Sequence, residues 1–263
     1  MSRKQCAAGS RGQQSIMGGD ADLEDRSLIR RLWWLWIPVA LLILVVLVYA
    51  LTRTSLLDVD RIEVEGAGPR VTEWTVREVA GIEVGQPLFD LDLGAVDGRL
   101  TALPWVAEAT VDREWSGTVR LRILERTPVV VAVNPVGAQV LLDAVGAVLD
   151  AVDPGAPVDP TLPHVRIDGF GPPGSRVSGI EPLLRAAEAI PPDLGAWIVA
   201  LVPTGDGIRA DLVGGAVAQL GFSDDYRDQA RSLATVLTRV TLACLREVDV
   251  SIPDNPVVRR GAC

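Results

Sequence analysis

Hydrophobic and polar positions follow three rhythms along this chain. From Leu32 to Leu51 the run LWWLWIPVALLILVVLVYAL holds no charge at all. A helix of about twenty residues spans about 30 Å, the hydrocarbon thickness of a bilayer, so residues 32–51 are expected to form a single transmembrane helix. Beyond it the period drops to two. In VDRIEVEGAGP, Ile62 and Val64 alternate with Arg61, Glu63 and Glu65, which predicts a strand buried on one face and stopped by Gly66, Gly68 and Pro69. The period then lengthens to that of a helix. Val76, Val79 and Ala80 form one face between a capping Thr72 and a terminating Gly81, and Leu93, Val96, Leu100 and Leu103 form another between Asp92 and Pro104. Alternation returns on either side of a turn at Ser116-Gly117. Ala107, Ala109 and Val111 oppose Glu108, Thr110 and Asp112 on one side, and Val119, Leu121 and Ile123 oppose Arg120 and Arg122 on the other. The order strand, helix, helix, strand, strand over residues 57–126 predicts a small α+β module of a size that can fold alone.

From Pro128 onward the segments shorten. Strands are expected at Val129–Asn134, Val140–Asp143, Ile198–Pro203, Gly207–Leu212, Ala216–Leu220 and Glu247–Ile252, separated by turns rich in Gly and Pro. Two helices interrupt them, one from Ile180 to Ala189 and one capped by Ser223 that carries Tyr226, Ala230, Leu233 and Leu237 on one face. Residues 151–179, dense in Pro and Gly, read as an ordered surface loop. The whole makes a second, β-rich domain over residues 127–252, with a tail at 253–263. In its last strand Val248 and Val250 alternate with Asp249 and Ser251, and Pro253 and Pro256 then bar the tail from further pairing. A strand so placed is expected at a sheet edge, where free N–H and C=O groups invite a partner strand.

The flanks of the apolar run set its role. Its length exceeds the 7 to 15 apolar residues of a secretory signal, and YALTRTSLLD lacks the small residues of a cleavage site. Trp33, Trp34, Trp36 and Tyr49 sit where amphipathic rings favour the headgroup layer, and Pro38 is tolerated in lipid. Arg3, Lys4, Arg11, Arg26, Arg30 and Arg31 precede the span, against Arg53 and Arg61 soon after it, so the N-terminus is expected in the cytoplasm and the remainder outside. Residues 1–31 are too polar to build a core and read as a disordered tail.

Composition removes several function classes. Residues 52–263 hold 19 basic and 30 acidic side chains, an excess that disfavours nucleic acid and anionic lipid headgroups as ligands. Of the three cysteines only Cys244 and Cys263 share a side of the membrane, and both are read as unpaired thiols; no metal-ligand spacing occurs. His164 is the one histidine, just after a proline and before an expected strand; a catalytic role would need a nucleophile and an orienting carboxylate beside it that the sequence does not supply. No hydrolase, zincin or nucleotide-binding pattern is present. The carboxylate pairs Asp90/Asp92 and Asp224/Asp225 stand at expected helix starts, where capping accounts for them better than acid/base chemistry. Trp74, Trp105, Trp115 and Trp197 are scattered, as suits core filling or an interface.

Taken in order, the single span, VDRIEVEG, GQPLFDLD, LPWVAEATVDREW, VRLRILERTPVVV, LLDAVGAVLD, LPHVRIDG and VDVSIPDNPVVR resemble the bacterial division proteins of the FtsQ/DivIB family, from about residue 28 to 260. The chain departs from that family's frequent proline at Ser116-Gly117 and from its frequent lysine at Gln229. The resemblance implies a POTRA module (βααββ) at 57–126 followed by an FtsQ-type β domain, in an inner-membrane protein of the division septum without catalytic site, metal or cofactor. It implies that the β domain binds the FtsB/FtsL pair and that the POTRA module meets other division proteins. The expected FtsB contact is Val248, Asp249, Val250, Ser251 and Ile252, extended by Asn255, Val257 and Val258. Lys4 is the sole lysine, and the richness in Ala, Val, Gly and Arg points to a high-GC genome such as an actinobacterium's. The competing readings are a membrane-anchored cell-wall hydrolase and a POTRA-type transport chaperone.

Overall fold

The computed structural model describes residues 36–50, 58–114, 116–153, 155–240 and 244–261. The chain divides into two compact units, Met1–Leu57 and Asp58–Cys263. In the first unit, residues 36–50 form a helix, α1, with every side chain exposed. Among the described residues no helix is long and apolar enough to cross a membrane. The ends of the expected span, 32–35 and 51, and the polar tail before it lie outside the described residues.

The second unit has two hydrophobic cores. The first belongs to β1 (Arg61–Glu65), α2 (Glu73–Ala80), α3 (Leu93–Thr101), β2 (Val106–Glu114) and β3 (Thr118–Glu125), with a 3-10 turn at Leu88–Asp90. The sheet order is β1-β3-β2, β1 running parallel to β3 and β2 antiparallel to it. Local chemistry starts and stops the helices as expected. Thr72 accepts from Thr75 N–H at 3.2 Å, Asp92 accepts from Ala95 N–H at 3.0 Å, and Gly81 ends α2 at φ 61°. Arg99 of α3 then donates to the carbonyls of Val79 and Ala80, which the end of α2 leaves free. Ile62, Val76, Ala80, Val96, Leu100, Val119, Leu121 and Ile123 are buried in this core. One expectation fails: Ala107 points to solvent. A β-bulge pairs Val106 with Glu125 and Glu108 with Leu124, so the extra residue turns Ala107 out and Val106 in.

The second lobe is a nine-stranded sheet in the order β12-β11-β10-β9-β8-β7-β4-β5-β6. Its strands are β4 (Pro128–Val133), β5 (Gln139–Asp143), β6 (Val148–Val152), β7 (His164–Arg166), β8 (Ile198–Thr204), β9 (Gly207–Leu212), β10 (Val217–Gly221), β11 (Leu245–Asp249) and β12 (Val257–Arg260). Its helices are α4 (Glu181–Ala189), the single turn α5 (Pro192–Gly195) and α6 (Arg227–Leu237). Helix α4 packs over β4, β8 and β9, and α6 over β10, with Tyr226, Ala230 and Leu233 buried between helix and sheet. Three elements are not announced by the sequence, and a fourth, β7, only as the strand expected just after His164. β6, β7, α5 and β12 are short, and a run of three to five residues carries too little periodicity to stand out. β7 lies inside the segment expected to be loop. Helix α6 begins at Arg227 with no side-chain cap. Ser223 instead shapes the turn before it, accepting from Asp225 N–H at 3.2 Å and donating to Asp225 C=O at 2.6 Å.

Two adjacent residues stand where the first lobe ends, and the second of them ties it to the β lobe. Glu125 accepts the N–H groups of Arg70 and Val71, each at 2.9 Å, which closes the loop between β1 and α2. Arg126 donates back to Val106 C=O at 2.9 Å and pairs with Asp143 at the end of β5, a carboxylate only 8% exposed. Asp143 also accepts from Val145 N–H at 3.0 Å and Ala147 N–H at 2.7 Å.

Candidate functional site

The chemistry-bearing residues do not converge. His164 is half-buried on β7 opposite Val131. Asp92 is a helix cap, and Asp225 accepts from Arg227 N–H at 3.0 Å at the start of α6. Among the described residues no group of three or more His, Cys, Asp or Glu side chains could hold a metal ion. Trp74 and Trp197 are exposed and Trp105 lies half-buried under the Arg70 guanidinium, 4.9 Å from the ring centroid; Trp115 lies outside the described residues. Gln229 is buried in α6, its Oε1 without a hydrogen-bond partner among the described residues, so it offers no surface contact. Cys244 is disulfide-bonded, which corrects the reading of two free thiols; Cys6 and Cys263 lie outside the described residues.

What the structure does build is a sheet edge, and it is one strand further out than the sequence placed it. β11 is flanked on both sides, parallel to β10 and antiparallel to β12. The prolines that were expected to end pairing sit in the turn instead. Pro253 and Pro256 bracket a reversal closed by Asn255 N–H to Ile252 C=O at 3.0 Å, and the chain returns as β12, the terminal strand of the sheet. Proline blocks a ladder only where its own nitrogen would donate, and here neither nitrogen is in a ladder.

This rearrangement sorts the expected contact residues. Val248 and Val250 are fully buried in the core, and Val250 N–H donates to Gln219 C=O at 2.9 Å, so neither side chain nor that donor is free for a partner. Asp249 accepts both the N–H of Ser251 at 3.0 Å and its hydroxyl at 2.6 Å. Those bonds, the hydroxyl first, hold the Asp249 carboxyl below the usual carboxylate range, with Arg259 adding to the shift and partial burial opposing it. Ile252, Asn255 and Val257 are exposed, and Val258 is half-buried on β12. Gly261 N–H donates to Cys244 C=O at 2.9 Å. By the alternation of an antiparallel ladder, the N–H groups of Arg260 and Val258 therefore point away from β11 toward the open side. Arg259 pairs with Glu247 at 2.8 Å across the last two strands. Arg259 and Arg260 were not singled out in the sequence; the run VVRR carries a two-residue alternation too short to announce a strand.

Residues 57–126 match the FtsQ-type POTRA domain. The chain is 32% identical over 228 residues to the cell division protein FtsQ of Mycolicibacterium smegmatis, covering 86% of this chain and 64% of that protein. It is 32% identical over 236 residues to FtsQ of Streptomyces collinus, covering 86% and 88%, and 32% identical over 216 residues to FtsQ of Streptomyces griseus, covering 78% and 98%. The chain spans less than two thirds of the mycobacterial relatives' length, 64% and 58% for two of them, and most of the Streptomyces proteins. Fold and matched domain thus define a POTRA-containing protein whose second lobe is a β domain with an open C-terminal edge. The chain belongs to the FtsQ family of cell division proteins, and the relatives it matches here are actinobacterial.

Proposed function

We propose that this protein is a non-catalytic, bitopic scaffold of the division septum that holds other division proteins together. Its cytoplasmic N-terminus leads through the apolar run at 32–51 to an extracytoplasmic POTRA lobe and β lobe. The partner of the β lobe is the FtsB/FtsL pair, and the POTRA lobe serves further division proteins. The observation that carries the reading is the outer side of β12, unpaired among the described residues, where Val258 and Arg260 offer main-chain donors beside exposed Val257. A partner strand laid there completes the ladder and gains specificity from every second side chain.

The test is Val258→Pro, which removes one outward donor at an edge position where proline is tolerated. The variant is expected to stay folded and to lose most of its co-purification with FtsB from membranes. A folded variant that retains full FtsB binding overturns the β12 assignment.

A further inference from the structure

A half-open cavity of about 320 Å³, with a lining somewhat more apolar than polar, opens beyond the ends of the central strands, between the sheet and the starts of α4 and α6. Ile167, Pro182, Leu183, Pro203, Ile208 and Phe222 line it. Its volume lies at the low end of ligand pockets, about 300–1,000 Å³, which suits one or two large side chains better than a whole helix. Phe222 stands at the rim 75% exposed, an unusual position for a phenylalanine without a partner. The wall also carries Asp168, exposed and with no ion pair among the described residues.

The cavity and the open edge are connected. Phe222 follows Gly221, the last residue of β10, whose backbone packs so closely on Ser251 that a Cβ there would come within 2.8 Å of the serine Cβ. Ile252, 64% exposed, comes next in the chain, and Val257, 48% exposed, opens β12. Exposed apolar side chains therefore step from the free edge to the cavity mouth along one end of the sheet. Adjacent strands lie about 4.8 Å apart, so a chain paired on β12 sits about 14 Å from β10, which leads into Phe222 at the rim, and about 19 Å from β9, whose Ile208 lines the cavity, distances that about four to six extended residues cover at about 3.3 Å each.

We infer that the segment pairing with β12 does not stop at the edge: its chain continues past Val257 and Ile252 and buries a large apolar or aromatic side chain in the cavity behind Phe222, with a basic residue beside it facing Asp168. This deepens the β12 reading and rests on it. The pocket gives the partner a buried anchor of the kind that dominates binding energy, in addition to the main-chain bonds and alternate side-chain contacts of the edge.

Site-specific photo-crosslinking in the full-length protein, in its own membrane, tests the idea. A benzophenone side chain at Val257 and another at Ser178, an exposed turn residue at the cavity wall, are introduced separately. The expected result is that both capture the same polypeptide, with the Ser178 adduct mapping about four to six residues from the Val257 adduct, on a segment that holds a large apolar and a basic residue. Ser178→Trp, which fills the mouth, and Phe222→Ala, which removes the rim, are expected to keep the parent's thermal midpoint and to weaken partner binding about tenfold. Capture at Val257 with none of that polypeptide at Ser178, or unchanged binding by Ser178→Trp, overturns the cavity inference and leaves the edge standing. Failure of Val257 to capture any partner overturns the edge reading itself.

Discussion

Leu121 and Arg120 are neighbours on β3 with opposite surroundings. Leu121 is fully buried among the helices, while Arg120 faces outward between Glu114 at 2.9 Å, Glu65 at 3.3 Å and Glu63 at 3.4 Å. Glu114 and then the hydrogen bond to Glu63 hold the Arg120 guanidinium above its ordinary pKa. Leu121→Asp buries a carboxylate without a partner and is expected to cost several kcal/mol, about the whole stability of a small lobe, read as loss of the folded transition in thermal denaturation. Arg120→Gln removes three half-exposed pairs on the outer face of the sheet and is expected to leave a folded lobe with a lower midpoint. The same scale carries a pH effect. Asp249 titrates below its unfolded value of about 3.9, so its contribution is fully present above that value and is lost as pH falls through the folded pKa. Acid is therefore expected to loosen the turn after β11, with faster amide exchange at Ser251. Ser251→Ala should move the Asp249 carboxyl back upward in an NMR titration, because its largest cause, the hydroxyl bond, is gone.

At the scale of elements, the hairpin of β11 and β12 decides what the proposed partner strand would meet. With β12 in place, Val250→Pro does not probe an edge: it cuts the bond to Gln219 and uncouples β11 from β10. It is expected to lower the thermal midpoint sharply, whereas Val258→Pro leaves the midpoint within a few degrees and acts on binding alone. Similar loss of midpoint in both variants would place β12 inside a ladder on both sides. The other end of the sheet is quieter. β6 is partly covered by the loop that bonds Val148 N–H to Ser175 C=O and Gly174 N–H to Val148 C=O, each at 2.8 Å, and Asp150 turns its own side chain onto Ala151 N–H at 2.9 Å. Both devices use up edge donors, so of the two ends β12 is the one left open among the described residues.

Across the whole molecule, coupling between the lobes runs through Arg126 and Asp143. Their side chains are 20% and 8% exposed, and Asp143 keeps two backbone donors if the arginine is lost. Arg126→Met is expected to cost about 3 kcal/mol, near the lower bound for breaking a buried pair, because those N–H groups still solvate the carboxylate. Calorimetry should then resolve separate transitions for the two lobes where the parent shows one. Glu125→Gln weakens only the closure of the Arg70–Val71 turn, and unlike Arg126→Met should leave a single transition.

Periodic stretches long enough to declare themselves determined the first lobe from sequence alone: Ile62 and Val64, the capped helices, and the alternation from Val119 to Ile123 each encode which side is buried. The period of a side chain is local, so it survives reading one residue at a time. Three things were decided only by the assembled fold. Whether Val248 to Ile252 lies at an edge depends on what packs beside it, and β12 arrives from residues whose prolines look like terminators until the turn that holds them is seen. The inward place of Val106 depends on a bulge that shifts the ladder by one residue, a property of two strands in register. The cavity behind Phe222 gathers residues from Ile167 to Tyr226 across several strands and two helix starts. A concave surface is a relation among elements distant in sequence, and no spacing along the chain records it.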